Sequence, residues 1–201
     1  LDIAKNNHLR MIIHDLDRRQ NGSYYIDIHS FQAAIKPHTR MYVLCNPHNP
    51  TGRVFSEQEL RELADLCLEH KVIICSDEIH SDLVFPNQSH IPIASLSKEI
   101  SNSTITLLSP SKTFNLAGLK SSAAIITNPN IRRLFYEHMS GSIGAVNLLG
   151  ETAMKAAYHN GADWLEEMIQ YLDKNRTFLG EFLSSQLPEI DYVPPQATYL
   201  A

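Results

Sequence analysis

The sequence has little cysteine, no long apolar run and no strong charge bias. Its three cysteines in 201 residues form neither a CxxC pair nor a spacing typical of metal sites. No apolar run approaches the roughly 20 residues needed to cross a bilayer, and no basic segment precedes an apolar one, as in a signal peptide. The net charge of −5 is spread along the chain, which argues against nucleic-acid and membrane-surface partners. We therefore expect a globular protein of a reducing, cytoplasmic compartment, with Cys45, Cys67 and Cys75 as buried, unreactive thiols.

Nucleotide-binding and metal-binding signatures are also missing. The sequence contains neither GxGxxG nor GxxxxGKS/T, the two glycine-rich patterns that hold dinucleotides and triphosphates. Ser109 and Lys112 have the SxxK spacing of a serine nucleophile with a lysine partner, but no SDN or KTG motif accompanies them. No two His or Cys residues have ligand spacing with a carboxylate nearby, so we predict no metal site.

The hydrophobic pattern predicts an α/β fold. Five short, almost continuously apolar runs are typical of strands covered on both faces; they are Leu9–Asp15, Met41–Cys45, Val72–Ser76, Thr104–Leu108 and Ala123–Thr127. Between the second and third, Ser56 and Glu59 form a capping box that begins an amphipathic helix. Strand, helix and strand from Met41 to Cys75 therefore predict a βαβ unit with parallel strands.

The pattern changes after Pro129 and becomes mainly helical. A helix is predicted over 130–139, then two longer ones over Val146–His159 and Asp163–Ser185, before a strand-like end at 190–201. We expect a sheet domain over residues 1–150, and linking helices with the start of a smaller domain over residues 151–201. The chain begins without Met and both ends interrupt a pattern, so we expect an internal piece of a longer protein.

Polar residues follow three of the predicted strands at the point where each strand ends. These segments are Asn46–Gly52 (NPHNPTG), Asp77–Asp82 (DEIHSD) and Ser109–Thr113 (SPSKT). In an open parallel sheet, ligands bind beyond the carboxyl ends of the strands. The sequence therefore predicts one site containing amide, carboxylate, imidazole, hydroxyl and ammonium groups.

Pyridoxal phosphate is a cofactor that uses all of these groups together. It needs a lysine for a Schiff base, a carboxylate that keeps its pyridine nitrogen protonated, and donors to its ring oxygen and phosphate. A carboxylate buried at a strand end suits the second task, because its attraction to the pyridinium is poorly screened there.

The motifs NPTG, SDEIH and SKTFNLAG, in this order and spacing, resemble the fold-type I pyridoxal-phosphate enzymes of the class I/II aminotransferase family. The fuller strings CNPHNPTGRVFSEQEL, SDEIHSDLVF, HIPIASLS and PSKTFNLAGLK are most similar to its cystathionine β-lyase, or C–S lyase, branch. The resemblance is most specific between Leu44 and Lys120 and weakens after Asn130. It implies a three-layer α/β sandwich with a mostly parallel sheet and a smaller α+β C-terminal domain, of which this chain has the start.

The resemblance also implies a role for each residue that matches a family motif. Lys112 matches the lysine that binds the cofactor covalently and later moves the substrate's α-proton. Asp77 matches the carboxylate at the pyridine nitrogen, and Asn49 matches the donor to the ring oxygen. His80 stands where many aminotransferases have a tyrosine at the same oxygen.

The phosphate-binding residues match the family less completely. Ser109 and Ser111 match hydroxyls that bind the phosphate. Lys120 stands eight residues after Lys112, where the wider family has an arginine, and a lysine keeps the charge but loses the bidentate fork.

Each of these residues has a simpler structural interpretation when taken alone. Asn49–Gly52 has the composition of a turn, Asp77 could cap the following helical turn, His80 could be a structural histidine, and Lys112 a solvated side chain. Taken together and in order, they favour the cofactor site. Five other residues are interpreted as structural or solvated: Glu78, Asp82, His90, Trp164 and Tyr199.

The resemblance implies a lyase that cleaves cystathionine or a related cysteine S-conjugate to pyruvate, ammonia and a thiol. Two alternatives are an aminotransferase, which would use the same residues, and a non-catalytic binding or regulatory protein. Retention of Lys112, Asp77 and Asn49 together argues against the last of these, because a pure binding protein has no need of the lysine. The resemblance also implies a homodimer that takes a small amino-acid substrate. We expect the segment alone to be inactive, because the family's phosphate loop and substrate-binding arginine would lie outside it.

Overall fold

The computed structural model describes residues 2–201. Helices α1 to α8 span Asp2–Asn6, Ile28–Ala34, Glu57–Glu69, Lys98–Asn102, Pro110–Thr113, Pro129–Met139, Leu148–Asn160 and Ala162–Gln186. Strands β1 to β6 span Asp17–Arg18, Tyr24–Tyr25, Met41–Cys45, Ile73–Asp77, Thr104–Leu108 and Ala123–Ile125. The α/β class expected from the sequence is confirmed.

A four-stranded sheet with the order β3-β4-β5-β6 organises the fold. Strands β3, β4 and β5 are parallel, and β6 pairs with β5 in the antiparallel direction. Helix α3 connects β3 to β4, so the predicted βαβ unit is confirmed. Strands β1 and β2 form a separate antiparallel pair.

Helix α3 forms and packs through features that are local in the sequence. The Ser56 hydroxyl accepts the Glu59 N–H and the Glu59 carboxylate returns to the Ser56 N–H, so both ends of the capping box are made. The buried stripe of the helix is Leu60, Leu63, Ala64 and Cys67. This stripe packs on Leu44 and Ile74 of the sheet and on Ile100 of α4, and each buried leucine contributes about 2 kcal/mol by leaving water.

The two faces of the sheet differ in how far this chain covers them. Leu44 and Ile74 lie on the face packed against α3 and are 2% and 0% exposed. On the opposite face Met41 is 47% and Val43 is 62% exposed. The sheet therefore has one complete apolar core, on the side of α3.

Several predicted strands differ from those observed. Leu9–Asp15 is not a strand, since no described strand lies beside it to pair its backbone, and Leu9 and Ile13 remain exposed. The predicted Ala123–Thr127 strand ends earlier, at Ile125, and the Val72–Ser76 strand lies one residue later, so that Asp77 is its last residue. The strand-like end of the chain makes only an isolated bridge between Val84 and Ala197.

The three predicted helices after Pro129 are confirmed as α6, α7 and α8. Asn128 and Asn147 cap α6 and α7 by accepting backbone N–H groups. Neither α6 nor α8 has a buried residue, and α8 also begins without a side-chain cap, so α6 depends on its local start signal more than on packing. The predicted domain boundary at residue 150 stays a prediction. Within the part of the chain described, no helix has both the length and the apolar character needed to span a membrane.

Candidate active site

The register of the parallel strands brings the three polar segments to one edge of the sheet. Cys45, the last residue of β3, pairs with Asp77 of β4, and Asp77 pairs with Leu107 of β5. The Asn46–Gly52, Asp77–Asp82 and Ser109–Thr113 segments all leave the sheet here. We call this the carboxyl edge.

Asp77 is the last residue of β4, and one of its two carboxylate oxygens accepts a hydrogen bond within the chain. Its Oδ1 accepts the Ile79 N–H at 3.3 Å, so the capping role considered from the sequence is made. Its backbone oxygen accepts the Asn46 N–H at 3.1 Å, which ties β4 to the start of the Asn46–Gly52 loop. Among residues 2–201 the second carboxylate oxygen has no hydrogen-bond donor, and it remains free for a ligand.

The His80 ring is buried, yet its nitrogens are unpaired within the described residues 2–201. The residue is 2% exposed, and neither ring nitrogen makes a hydrogen bond with any described residue. Burial lowers the pKa of the His80 imidazole, the Lys112 ammonium lowers it further, and the Asp77 carboxylate acts in the opposite direction. Two unpaired nitrogens in a buried ring are costly unless something else pairs with them.

Lys112 lies on the short helix α5, which is fixed on both sides of it. The Ser109 hydroxyl caps the helix by accepting the Ser111 N–H at 3.1 Å. The Thr113 hydroxyl donates to Asp82 at 3.0 Å. Asp82, which was interpreted from the sequence as structural or solvated, therefore has a structural role and anchors the lysine-bearing turn. Phe114 then packs against Trp164, with ring centroids 5.9 Å apart.

The predicted phosphate-binding residues form a hydroxyl cluster beside α5. The Ser109 hydroxyl lies 2.8 Å from both the Ser111 hydroxyl and the Ser121 backbone oxygen. The Ser121 hydroxyl is buried without a partner in residues 2–201. Lys120 adopts the left-handed conformation, at φ 52°, and its side chain is exposed. The Ser109 hydroxyl is therefore engaged locally, whereas Ser111 and Ser121 have capacity for a further hydrogen bond.

The Asn46–Gly52 loop is a turn and also part of the carboxyl edge. The Asn49 N–H lies 3.5 Å from the Cys45 sulfur, and the residue itself is exposed at the edge. Burial raises the pKa of the Cys45 thiol, the Asn49 N–H lowers it, and Asp77 raises it. Cys45 and Cys75 are half-buried and only Cys67 is buried, so the prediction of three buried thiols is wrong for two of them.

A distant segment, Pro195–Tyr199, completes the edge. The Gly52 carbonyl accepts the N–H groups of Gln196 and Ala197 at 2.9 and 3.0 Å. Gly52 has φ +64°, and a side chain there would meet Pro195. This position therefore requires glycine for both its conformation and its close contact.

Tyr199 reaches the site from this segment and was missed as a site residue. Thr198 is fully buried with φ 71°, an unfavourable conformation for a β-branched residue. Its N–H donates to the Leu83 carbonyl at 2.7 Å. The Tyr199 ring then lies edge-on to His80, with centroids 5.7 Å apart.

A buried polar network behind Asp77 was also missed. Glu78 is 1% exposed; its carboxylate accepts the Ser76 hydroxyl at 2.8 Å and lies 2.9 Å from His90 Nε2. The sequence carried a signal for it. Residues 76 and 78 share the covered face of β4 by strand alternation, and a carboxylate there needs a partner.

These groups fit the cofactor that the sequence analysis expects. A half-free carboxylate, a lysine and a buried imidazole with unpaired nitrogens match the pyridinium, aldehyde and ring oxygen of pyridoxal phosphate. The free hydroxyl capacity at Ser111 and Ser121 suits its phosphate. Within residues 2–201 no group of three or more His, Cys, Asp or Glu side chains is arranged to hold a metal ion.

Comparisons with known proteins agree with this chemistry. The family model for aminotransferase class I and II matches residues 2–201. A protein named cystathionine β-lyase PatB from Bacillus subtilis strain 168 is 42% identical over 193 residues, which cover 95% of this chain and 50% of the relative.

Solved structures of similar sequence also contain pyridoxal phosphate. A pyridoxal-phosphate-bound protein from Clostridium difficile 630, provisionally described as an aminotransferase, superposes with a TM-score of 0.95 at 39% identity, covering 98% of this chain and 51% of that one. The pyridoxal-phosphate-bound C–S lyase from Staphylococcus hominis superposes with a TM-score of 0.87 at 38% identity, covering 98% and 49%. The chain spans about half the length of these relatives.

Proposed function

We propose that this chain, which belongs to the class I and II aminotransferase family, acts as a pyridoxal-phosphate-dependent carbon–sulfur lyase on cystathionine or a related cysteine S-conjugate. The observation that carries the proposal is the meeting of Lys112, Asp77 and the unpaired His80 at the carboxyl edge. The names of the B. subtilis and S. hominis relatives support the lyase over other reactions of the family.

Lys112 is the proposed catalytic residue. Its amine would hold the cofactor covalently, and after substrate binding the freed Nζ would take the substrate's α-proton. The anchors on either side of Lys112, at Ser109 and Thr113, limit where the ammonium can go. A general base must be held within hydrogen-bond reach of the proton that it removes.

Asp77, Asn49 and His80 are the proposed contacts to the cofactor ring. The bound cofactor supplies an electron sink for the carbanion left when the α-proton is removed. Asp77 would hold the pyridine nitrogen protonated with its free oxygen, while Asn49 and His80 would face the ring oxygen. Ser109, Ser111 and Lys120 are proposed for the phosphate, with Ser121 as an additional donor that the sequence analysis did not include.

The overall reaction balances with water as the only co-substrate. The bond between the β-carbon and sulfur breaks, and the sulfur leaves with the electron pair and gains a proton as a thiol. Water then converts the remaining three-carbon fragment to pyruvate and ammonia. An aminotransferase would instead return a proton to the cofactor and release a keto acid, using the same residues of this chain.

The first experiment is product analysis of the native protein with pyridoxal phosphate and L-cystathionine. We expect pyruvate, ammonia and homocysteine in equal amounts. A keto acid that forms only with an added amino-group acceptor would establish the aminotransferase instead.

Borohydride reduction of the loaded protein, followed by peptide mapping, tests the cofactor site itself. We expect a pyridoxyl group on Lys112 and none on Lys120, which serves as an internal control eight residues away. Absence of the adduct from Lys112 would overturn the enzyme proposal and favour a non-catalytic protein.

We further propose a cytoplasmic homodimer that takes a small amino-acid substrate. The free thiols of Cys45, Cys67 and Cys75 suit a reducing compartment. Exposed apolar residues such as Val43 and Phe178 supply surface for association. Analytical ultracentrifugation tests the dimer, and a single species at the monomer mass across the micromolar range would exclude it.

A further inference from the structure

The Ser76–Glu78–His90 network occupies a particular place in the chain. Glu78 stands between Asp77 and His80, the two residues proposed to hold the cofactor ring. Its side chain points to the covered face of the sheet, where Ser76 and His90 bind it. The side chains of Glu78 and His90 are only 1% and 7% exposed.

The backbone of Glu78 is fixed as firmly as its side chain. Its N–H donates to the Leu107 carbonyl of β5 at 3.0 Å, and its carbonyl accepts the Ser81 N–H at 2.9 Å. The second bond closes the turn that carries His80. The next residue, Ile79, donates its N–H to the Asp77 carboxylate. Both ring-binding side chains therefore depend on the backbone conformation at Glu78.

Burying a carboxylate costs free energy that a methionine or leucine at this position would not cost. A purely stabilising role does not account for a charged group here, since apolar replacement of buried ion pairs is often neutral or favourable. A directional network, unlike an apolar side chain, fixes one rotation of the turn. His90 comes from a separate segment, so its contact with Glu78 fixes the position of the turn relative to a second part of the core.

We propose that Ser76, Glu78 and His90 are positioning residues, which hold the Asp77–Ser81 turn so that Asp77 and His80 face the cofactor. The inference rests on the proposed function for the roles of Asp77 and His80. It concerns the orientation of these side chains before any cofactor is bound, so it can be tested independently.

The test compares three variants by NMR of the His80 imidazole in cofactor-free native protein. His90→Leu removes the partner of Glu78, whereas His90→Gln keeps a nitrogen donor near the position of Nε2. Thr104→Val is the matched control, because it removes another buried hydrogen bond, from Thr104 to the Ile100 carbonyl at 2.7 Å, at the opposite end of the neighbouring strand.

In His90→Leu we expect the His80 signals to move and its pKa to rise toward the ordinary value, because a released turn exposes the imidazole to water. The dissociation constant of pyridoxal phosphate should rise by about tenfold or more, in the range of second-sphere substitutions at metal sites. In His90→Gln the His80 signals and the dissociation constant of pyridoxal phosphate should return most of the way to the wild-type values. Thr104→Val should lower the thermal midpoint but leave the His80 signals and the dissociation constant unchanged. If His90→Leu does not fold, Ser76→Ala gives the same comparison.

Unchanged His80 signals and cofactor affinity in His90→Leu, with a lowered thermal midpoint, would overturn the inference and leave the network a stability element only. Failure of the wild-type protein to bind the cofactor at Lys112 would overturn the proposed function instead. The imidazole comparison in the cofactor-free protein would still decide whether the network positions His80.

Discussion

The sheet region, residues 41–126, and the helical region, residues 129–186, are stabilised in different ways. Nearly all of the fully buried apolar side chains lie in or beside the sheet region, and α6 and α8 have none. Side chains cap α3 in the sheet region and α6 and α7 in the helical region, whereas α8 begins without a side-chain cap. The difference teaches that a local start signal is enough to form a helix such as α6. The candidate site, in contrast, lies in the region where helix α3 also packs on an apolar core.

The largest expected effect is on lyase activity, and it distinguishes Lys112 in the sheet region from Lys155 in the helical region. Lys112→Ala removes the proposed covalent attachment and general base, so we expect lyase activity to fall by about a thousandfold or more. Lys155→Ala, on the exposed surface of α7, loses only a surface ion pair with Glu151 and should retain activity. Steady-state kinetics at saturating pyridoxal phosphate measure both. Equal losses would mean that the site is not where we assign it.

Leucine truncation tests the core directly. Leu63→Ala, buried under the sheet, should lower the free energy of unfolding by about 2–5 kcal/mol. Leu134→Ala on α6, where the leucine is 48% exposed, should change it by less than about 0.5 kcal/mol. Urea unfolding curves give both values. A large loss for Leu134→Ala would show that another surface covers α6 in the native assembly, and the contrast between the regions would then disappear.

Removing a helix cap should cost about the same free energy of unfolding in the two regions. Ser56→Ala and Asn147→Ala each remove a side chain that accepts a helical N–H group, and each should cost about 0.5–2 kcal/mol. Chemical denaturation measures the two changes side by side. A negligible effect for Asn147→Ala alone would mean that α7 does not depend on its local start signal.

The smallest effect is a pH dependence that belongs to the sheet region. Burial lowers the pKa of His80 and of His48 below the ordinary value of 6.5, so the unfolded chain takes up protons first as the pH falls. The stability from these neutral imidazoles is present above pH 6.5 and is lost as the pH falls toward the lower folded values.

Replacing His80 by Asn should therefore reduce the stability difference between pH 7.5 and 5.5, measured as urea midpoints. Leu134→Ala removes no titratable group and serves as the control, with the wild-type difference between the two pH values. A His80→Asn protein that retains the full difference would contradict the assignment.

Features carried by neighbouring residues were predictable from the sequence. The capping box at Ser56, the βαβ unit and the meeting of three polar segments at one edge follow from local pattern and from the direction of parallel strands. The strand prediction for Leu9–Asp15 was wrong because an apolar run becomes a strand only when another strand lies beside it. The sequence of one run does not specify whether such a neighbour exists.

The missed site residues depend on contacts between distant segments. Glu78 was interpreted only as structural or solvated, and its network was missed because its partner, His90, comes from another loop. Tyr199 could not be placed, because its position beside His80 depends on the left-handed backbone at Thr198. The individual roles of Lys112, Asp77 and Asn49 stay predictions from the family motifs until the tests above are made.

The contact between Gly52 and residues 196 and 197 has a consequence for how the protein is made. Arg53 and Gln196, which lie beside this contact, are 143 residues apart, so a ribosome needs about 7–30 s to synthesise the chain between them. The βαβ unit around α3 relies on near neighbours and can form during that interval, whereas the Asn46–Gly52 loop must wait. We expect the core of the nascent protein to be folded well before its candidate site has its final shape.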